Sequence, residues 1–312
     1  MVGGIIMKVK SLGSLLIAVS AILIATEAVT VKLCYAEGWN YLPLMMCRFG
    51  LGLIILAVIA LIIKKPLFLA KKDLLFGMGV AFLQILASSL LYIAFGLLPA
   101  ATAILLFYCY PVLTAIASYF FDKENLTVIT VVSLFCVVGG VAVFSGSVWD
   151  SINVFGLIVA LACACVNSIY LVMIARLMRK GLEPLTFTIY IFFIGFLLFL
   201  IITLISGQMV LPNTSISWFY VVFLALVPTS MAMLLFNFGV DKTGATLAAI
   251  IYGLEVPATA FFAFLVFGDT WNIWQFLGAA LIIFAVMLPN IIKNKQVMLK
   301  QPLKIAENID KK

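Results

Sequence analysis

The stretch Leu90 to Thr102, LLYIAFGLLPAAT, returns about 144 residues later as Leu234 to Thr246, LLFNFGVDKTGAT. The correspondence continues downstream. Pro111 is followed thirteen residues on by Glu124, and Pro257 twelve residues on by Asp269. In each copy the proline lies inside an apolar run and the acid in the short polar stretch after it. A chain that repeats such a pattern folds as two related halves.

Each half holds five apolar runs. Charges and turn residues separate them at about 12–33, 43–63, 74–97, 101–120, 127–145, 154–175, 185–206, 216–240, 245–267 and 271–292. A helix crosses a hydrocarbon layer of roughly 30 Å with about 20 residues. Lipid offers backbone groups no partner, so a span is either a helix or part of a closed barrel. Uninterrupted apolar runs of this length lack the alternation of barrel strands. The predicted fold class is all-α integral membrane, with ten transmembrane helices as two inverted five-helix repeats, 12–145 and 154–292. The inversion comes from counting, because a repeat of five spans delivers the second copy to the opposite face. Secondary transporters use this architecture, with the solute site near the midplane where the repeats meet. Residues 1–11 and the basic stretch 293–312 are expected to be cytoplasmic tails.

Composition agrees. Of 312 residues, 66% are hydrophobic and 10% charged, whereas soluble domains are about half apolar and a quarter charged. The first run is long enough to span and carries Glu27, so it reads as a first helix and not as a cleaved signal peptide. With the N-terminus inside, seventeen of the 19 Lys and Arg residues fall on inner segments, leaving Lys32 and Arg48 at outer helix ends. This positive-inside bias predicts both termini in the cytoplasm and a multi-pass protein of the plasma (inner) membrane. The net charge of +7 then reflects orientation and anionic lipid contact, not nucleic acid.

Six cysteines lie in or at the ends of apolar runs, where thiols behave as small hydrophobes. Cys34 and Cys47 flank one loop and are the one pair worth testing for a disulfide. Cys163 and Cys165 stand about 200° apart on a helix, a poor chelating geometry. No metal and no other cofactor is implied.

Carboxylates at bilayer depth are costly and mark function. Glu255 lies at the centre of its run, and Glu27 lies five residues outward of the centre of its own. In a chain without histidine these two are the main candidate proton carriers. Gln84, Tyr110, Asn167 and Tyr252 sit at similar depth and can hydrogen-bond a polar solute in an apolar pocket. Pro111 and Pro257 remove backbone donors mid-helix and are hinge candidates. Glu124 and Asp269 read as helix caps or partners of basic residues, and Arg48 as snorkelling to headgroups or pairing with an outer carboxylate. Ala160, Ala164 and Ser168, like Ala245, Ala249 and Gly253, form small-residue stripes that let helices approach closely.

Membrane-enzyme chemistry finds little support, since a phosphate loop and a zinc-protease motif are both missing. The absence of a deep lysine or arginine points away from phosphate or sulfate cargo and toward a neutral, zwitterionic or cationic solute. A channel or lipid scramblase is the alternative, distinguished by conduction where a carrier shows saturable uptake.

The ordered set resembles the EamA-type branch of the drug/metabolite transporter superfamily over nearly the whole chain. The residues that carry the likeness are FYCYPVLTAIASYFFDKENLT around Pro111, its second copy IIYGLEVPATAFFAFLVFGDTWNIWQFLGAALIIFAVML, and Arg48 in PLMMCRFGLGLIIL. The chain departs from the family pattern in having Val256 between Glu255 and Pro257 and Asp269 where a glutamate is usual. The resemblance implies export or import of amino acids, other metabolites or drugs without a bound cofactor.

Overall fold

A computed structural model describes residues 2–65, 71–98, 103, 106–122, 127–145, 153–209, 211, 214–268 and 272–288. Glu124, Asp269, the 99–102 end of the repeated block and the stretch after residue 288 lie outside the described residues. Helices and their connecting turns make up the described chain, with no strand among the described residues. All ten predicted stretches carry helix, and seven helices are long and apolar enough to cross a membrane. Val128–Val143 and Ile273–Leu288 are shorter apolar helices.

In chain order the elements are α1 (Val2–Ile24), α2 (Thr26–Ala36), α3 (Tyr41–Ile62), α4 (Lys71–Leu97), α5 (Tyr110–Asp122), α6 (Val128–Ser145) and α7 (Val154–Arg179). Then come α8 (Pro184–Ser206), α9 (Ser215–Leu224), a π-helical segment (Ala225–Met231), α10 (Ala232–Thr243), α11 (Ala245–Tyr252), α12 (Glu255–Phe267) and α13 (Ile273–Leu288). Helix already covers Val2 to Ser11, where a tail was expected.

Local signals set the boundaries. The Asn153 side chain accepts from Gly156 N at 3.1 Å and caps α7, and Thr214 Oγ1 accepts from Ser217 N at 3.3 Å to cap α9. Pro184 opens α8, where a missing N–H is harmless. Glycines in left-handed conformation close α8 at Gly207 (φ 65°) and α12 at Gly268 (φ 72°). Inside the π segment Pro228 cannot donate, and Ser230 Oγ bonds Ala225 O at 2.6 Å, five residues back.

Packing crosses between the halves. α1 lies on α10, α3 on α8, α4 on α7 and α8, α5 on α7 and α11, and α2 on α9 and α12. Small residues let backbones meet. A Cβ on Gly13 would come within 2.6 Å of Lys242 Cβ, and one on Gly156 within 2.7 Å of Leu98 Cγ. In the α3–α8 contact, Phe49 fills the notch at Gly195 and Phe196 the notch at Gly50. Buried side chains such as Tyr110, Tyr170, Phe187, Phe192 and Leu171 face the interior, while Leu75, Phe120, Phe135 and Ile205 stand on the outside. An apolar exterior of this kind is solvated by lipid, not water.

Candidate functional site

Two spans are interrupted at mid-depth, each just before its proline. Proline removes the bond its own N–H would make four residues back. Ahead of Pro111 the chain turns at Tyr108 and Cys109, and Cys109 N reaches Leu106 O at 3.2 Å, only three residues away. Ahead of Pro257 it turns at Gly253 and Leu254, with Gly253 N on Ile250 O at 3.2 Å and Val256 N on Gly253 O at 3.2 Å. The hinge candidates therefore mark real breaks, which the sequence expected only as bends.

The two breaks meet through side chains. Tyr108 Oη, in the first break, donates to Glu255 Oε2 at 3.0 Å, and Glu255 is the first residue of α12 beyond the second break. The N-terminal end of a helix favours a negative group. Tyr110 stacks near Phe107 and Tyr108, with ring centroids 4.9 and 5.6 Å away, and its hydroxyl points to Ala249 O at 3.5 Å. Tyr252 meets Phe236 edge-on at 4.8 Å and lies within electrostatic reach of Glu255 and Tyr110. Glu255 and Tyr252 keep accessible surface although they sit mid-span inside the helix assembly.

Glu27 stands beside this group, its charge within reach of Glu255 and Tyr252. It accepts both amino groups of Arg48, Nη1 on Oε1 and Nη2 on Oε2, the latter at 3.0 Å. Of the two roles open to Arg48, the pairing with a carboxylate is the one observed, and the partner is Glu27. A two-pronged guanidinium–carboxylate bond fixes both orientation and charge. The pair ties α2 to α3 within the first half.

Gln84 and Asn167 stand on inward-facing stripes of α4 and α7. Gln84 shares its helical face with buried Val80, Ala81 and Ala87, and its Oε1 is buried with no hydrogen-bond partner among the described residues. Asn167 shares its face with buried Cys163, Ala164 and Leu171, yet is itself only half-buried. Ser168, next to it, bonds Tyr110 O at 3.1 Å and links α7 to the first break.

Sequence reading missed Tyr108. The doublet of tyrosines in FYCYP was its only signal, since two residues apart on an unbroken helix point about 200° apart. It also missed Asn237, fully buried on α10, whose Nδ2 donates to Thr188 Oγ1 at 2.8 Å while Tyr170 Oη approaches Oδ1 at 3.5 Å. This second polar knot holds α7, α8 and α10 together. The six cysteines are free thiols, with Cys34 and Cys163 buried.

A model of the EamA-like transporter family matches residues 11–146 and again 154–291. The chain belongs to that family. The EamA-like transporter described here is 25% identical to an uncharacterized transporter of Clostridium kluyveri over 298 residues, covering 91% of this chain and 94% of the relative. It is 24% identical to the uncharacterized transporter YetK of Bacillus subtilis over 312 residues, covering 94% and 91%. A solved crystal structure superposes with a TM-score of 0.77 at 19% identity, covering 92% of this chain and 99% of that one. That likeness establishes a shared fold. The chain is thus a multi-pass membrane transporter.

Proposed function

We propose that this EamA-like transporter is a secondary carrier that moves a small organic solute by alternating access, with Glu255 at the centre of the solute or proton site. The observation that carries the proposal is the Tyr108–Glu255 hydrogen bond, which joins the interrupted span of one half to the interrupted span of the other. Discontinuous helices with polar groups at their breaks are where such carriers bind cargo. Glu27, Gln84, Tyr110, Asn167 and Tyr252 complete the proposed lining, and Pro111 and Pro257 serve as hinges. The solute is neutral, zwitterionic or cationic, because the sequence sets no lysine or arginine deep in the membrane and Arg48, at an outer helix end, is engaged by Glu27.

Inverted repeats are the architecture proposed for it. Exchange of the halves turns the α4–α7 contact into α1–α10 and returns α3–α8 to itself, and all three contacts occur. The glycine notches duplicate in the same way, Gly156 against Leu98 and Gly13 against Lys242. Both termini are assigned to the cytoplasm and the protein to the plasma (inner) membrane on the positive-inside bias.

Uptake of a labelled metabolite panel into proteoliposomes, with and without a pH gradient, tests the proposal. Saturable uptake with counterflow is expected. Electrical conduction without saturation would reassign the chain as a channel.

A further inference from the structure

The turn between α11 and α12 sets two side chains over one another. Gly253 (φ −54°, ψ −20°) and Leu254 (φ −59°, ψ −20°) have the dihedral angles of a 3₁₀ turn. Its bonds run three residues back, Gly253 N on Ile250 O at 3.2 Å and Leu254 N on Ile251 O at 3.1 Å. Side chains three positions apart eclipse in such a turn. Tyr252 and Glu255 flank it, so the Tyr252 ring stands on the side of the chain that carries the Glu255 carboxylate. Both residues keep accessible surface.

Tyrosines from both halves meet at this carboxylate. Tyr108 bonds it at 3.0 Å, and Tyr110 and Tyr252 lie within electrostatic reach. The Tyr108 hydroxyl is engaged by Glu255 itself, and the Tyr110 hydroxyl points to Ala249 O at 3.5 Å. What these two side chains offer beyond those bonds is ring surface. Phe107 backs the Tyr108 and Tyr110 rings, with centroids 5.5 and 4.9 Å away, and Phe236 backs Tyr252 at 4.8 Å. Glu27 is neutralised by Arg48, whereas the sequence sets no lysine or arginine deep in the membrane to do the same for Glu255.

We propose that the cargo is an organic ammonium cation, held by the Glu255 carboxylate and the faces of the Tyr108, Tyr110 and Tyr252 rings. This rests on the reading of Glu255 as the centre of the solute site. Aromatic faces are electron-rich and attract a cation, most strongly where water is excluded. An alkylated nitrogen suits them, because it has few or no N–H groups to satisfy and lays its carbon shell against the rings. A bare metal cation asks instead for a full set of oxygen ligands. A zwitterion brings a carboxylate of its own, which Glu255 and the ring faces repel. A neutral solute gains nothing from the charge.

Isothermal titration calorimetry on the full chain in nanodiscs of zwitterionic lipid tests the cargo class, with empty nanodiscs as the blank. The probes are choline, glycine betaine and the carbon isostere of choline, in which a tert-butyl group replaces the trimethylammonium. Choline is expected to bind saturably, and the other two at least about tenfold more weakly, the scale of a desolvated cation–π contact. Equal binding of choline and its isostere, tighter binding of betaine, or no binding of choline would overturn the assignment. Tyr252→Leu is expected to weaken choline about tenfold, and Tyr252→Phe, which keeps the ring, at most about threefold. Parental choline affinity in Tyr252→Leu would also overturn it. The probe comparison uses the parent protein, so it decides the matter even where Tyr252→Leu fails to fold. Saturable uptake of a neutral or zwitterionic solute without choline binding would sink the cation and keep the carrier. Choline binding with conduction in place of saturable uptake would sink the carrier and keep the cation site.

Discussion

The Tyr108 hydroxyl bonds the Glu255 carboxylate across 3.0 Å, and the two residues stand at breaks of equivalent spans in opposite halves. A movement of one half against the other has to lengthen this bond. Glu255→Gln keeps the shape of the side chain and removes its ability to ionise. Gradient-driven uptake is expected to vanish while exchange without a gradient persists and the protein still inserts and folds. Undiminished gradient-driven uptake would make Glu255 structural and pass the role to Glu27. Tyr108→Phe is expected to lower uptake several-fold and stability by about 1 kcal/mol, the net worth of one hydrogen bond.

The Glu27–Arg48 pair is expected to matter more when broken than when replaced. Removing one partner of a fully buried pair costs about 3–5 kcal/mol. Here the side chains are 11% and 16% exposed, for Arg48 and Glu27 respectively. Residual water contact reduces the expected loss for Arg48→Ala to about 2 kcal/mol. The double variant Glu27→Gln, Arg48→Met is expected to recover most of it. Denaturant titration of the four proteins in a double-mutant cycle measures the coupling.

Close backbone approach at Gly239 predicts an intolerant position. A Cβ there would collide with Ile17 Cγ1 and come within 3.1 Å of Gly13 O. Gly239→Val is expected to destabilise the α1–α10 contact by about 1–3 kcal/mol, the range for overpacking. Gly79→Ala is the control, because nothing lies within 4 Å of its added Cβ. Thermal unfolding in detergent should separate the two, with the Gly79 variant at least as stable as the parent.

Reporter fusions check the orientation. Fusions after Lys72 and after Lys180 are expected to report the cytoplasm, and one near Asn213 the exterior. An external signal at either lysine would overturn the proposed topology.

The ten apolar stretches and the division into halves were legible because length and repetition survive without knowledge of contacts. Pro111, Pro257, Glu27 and Glu255 were legible for the same kind of reason, as residues out of place in lipid. Tyr108 was hidden because an unbroken helix turns it away from Tyr110, and only the break brings both toward the second half. Arg48 was visible as a charge near a helix end, but headgroup and carboxylate were equal partners until α2 and α3 were packed. Pro228 gave no sign of a π segment, since its apolar surroundings carry no change of period.

That π segment has a consequence for how relatives are aligned. Five-residue closure between Ala225 and Met231 accommodates one residue more than an α-helix of similar length, and one residue rotates the remainder of the span by about 100°. Without it, Asn237 would face away from Thr188, and the Ala232 carbonyl would leave Ser20, which bonds it at 2.7 Å. Relatives with a plain α-helix here should be one residue shorter between the positions of Trp218 and Lys242. The gap belongs opposite the π segment, because any other choice would pair lipid-facing positions with buried ones along α10.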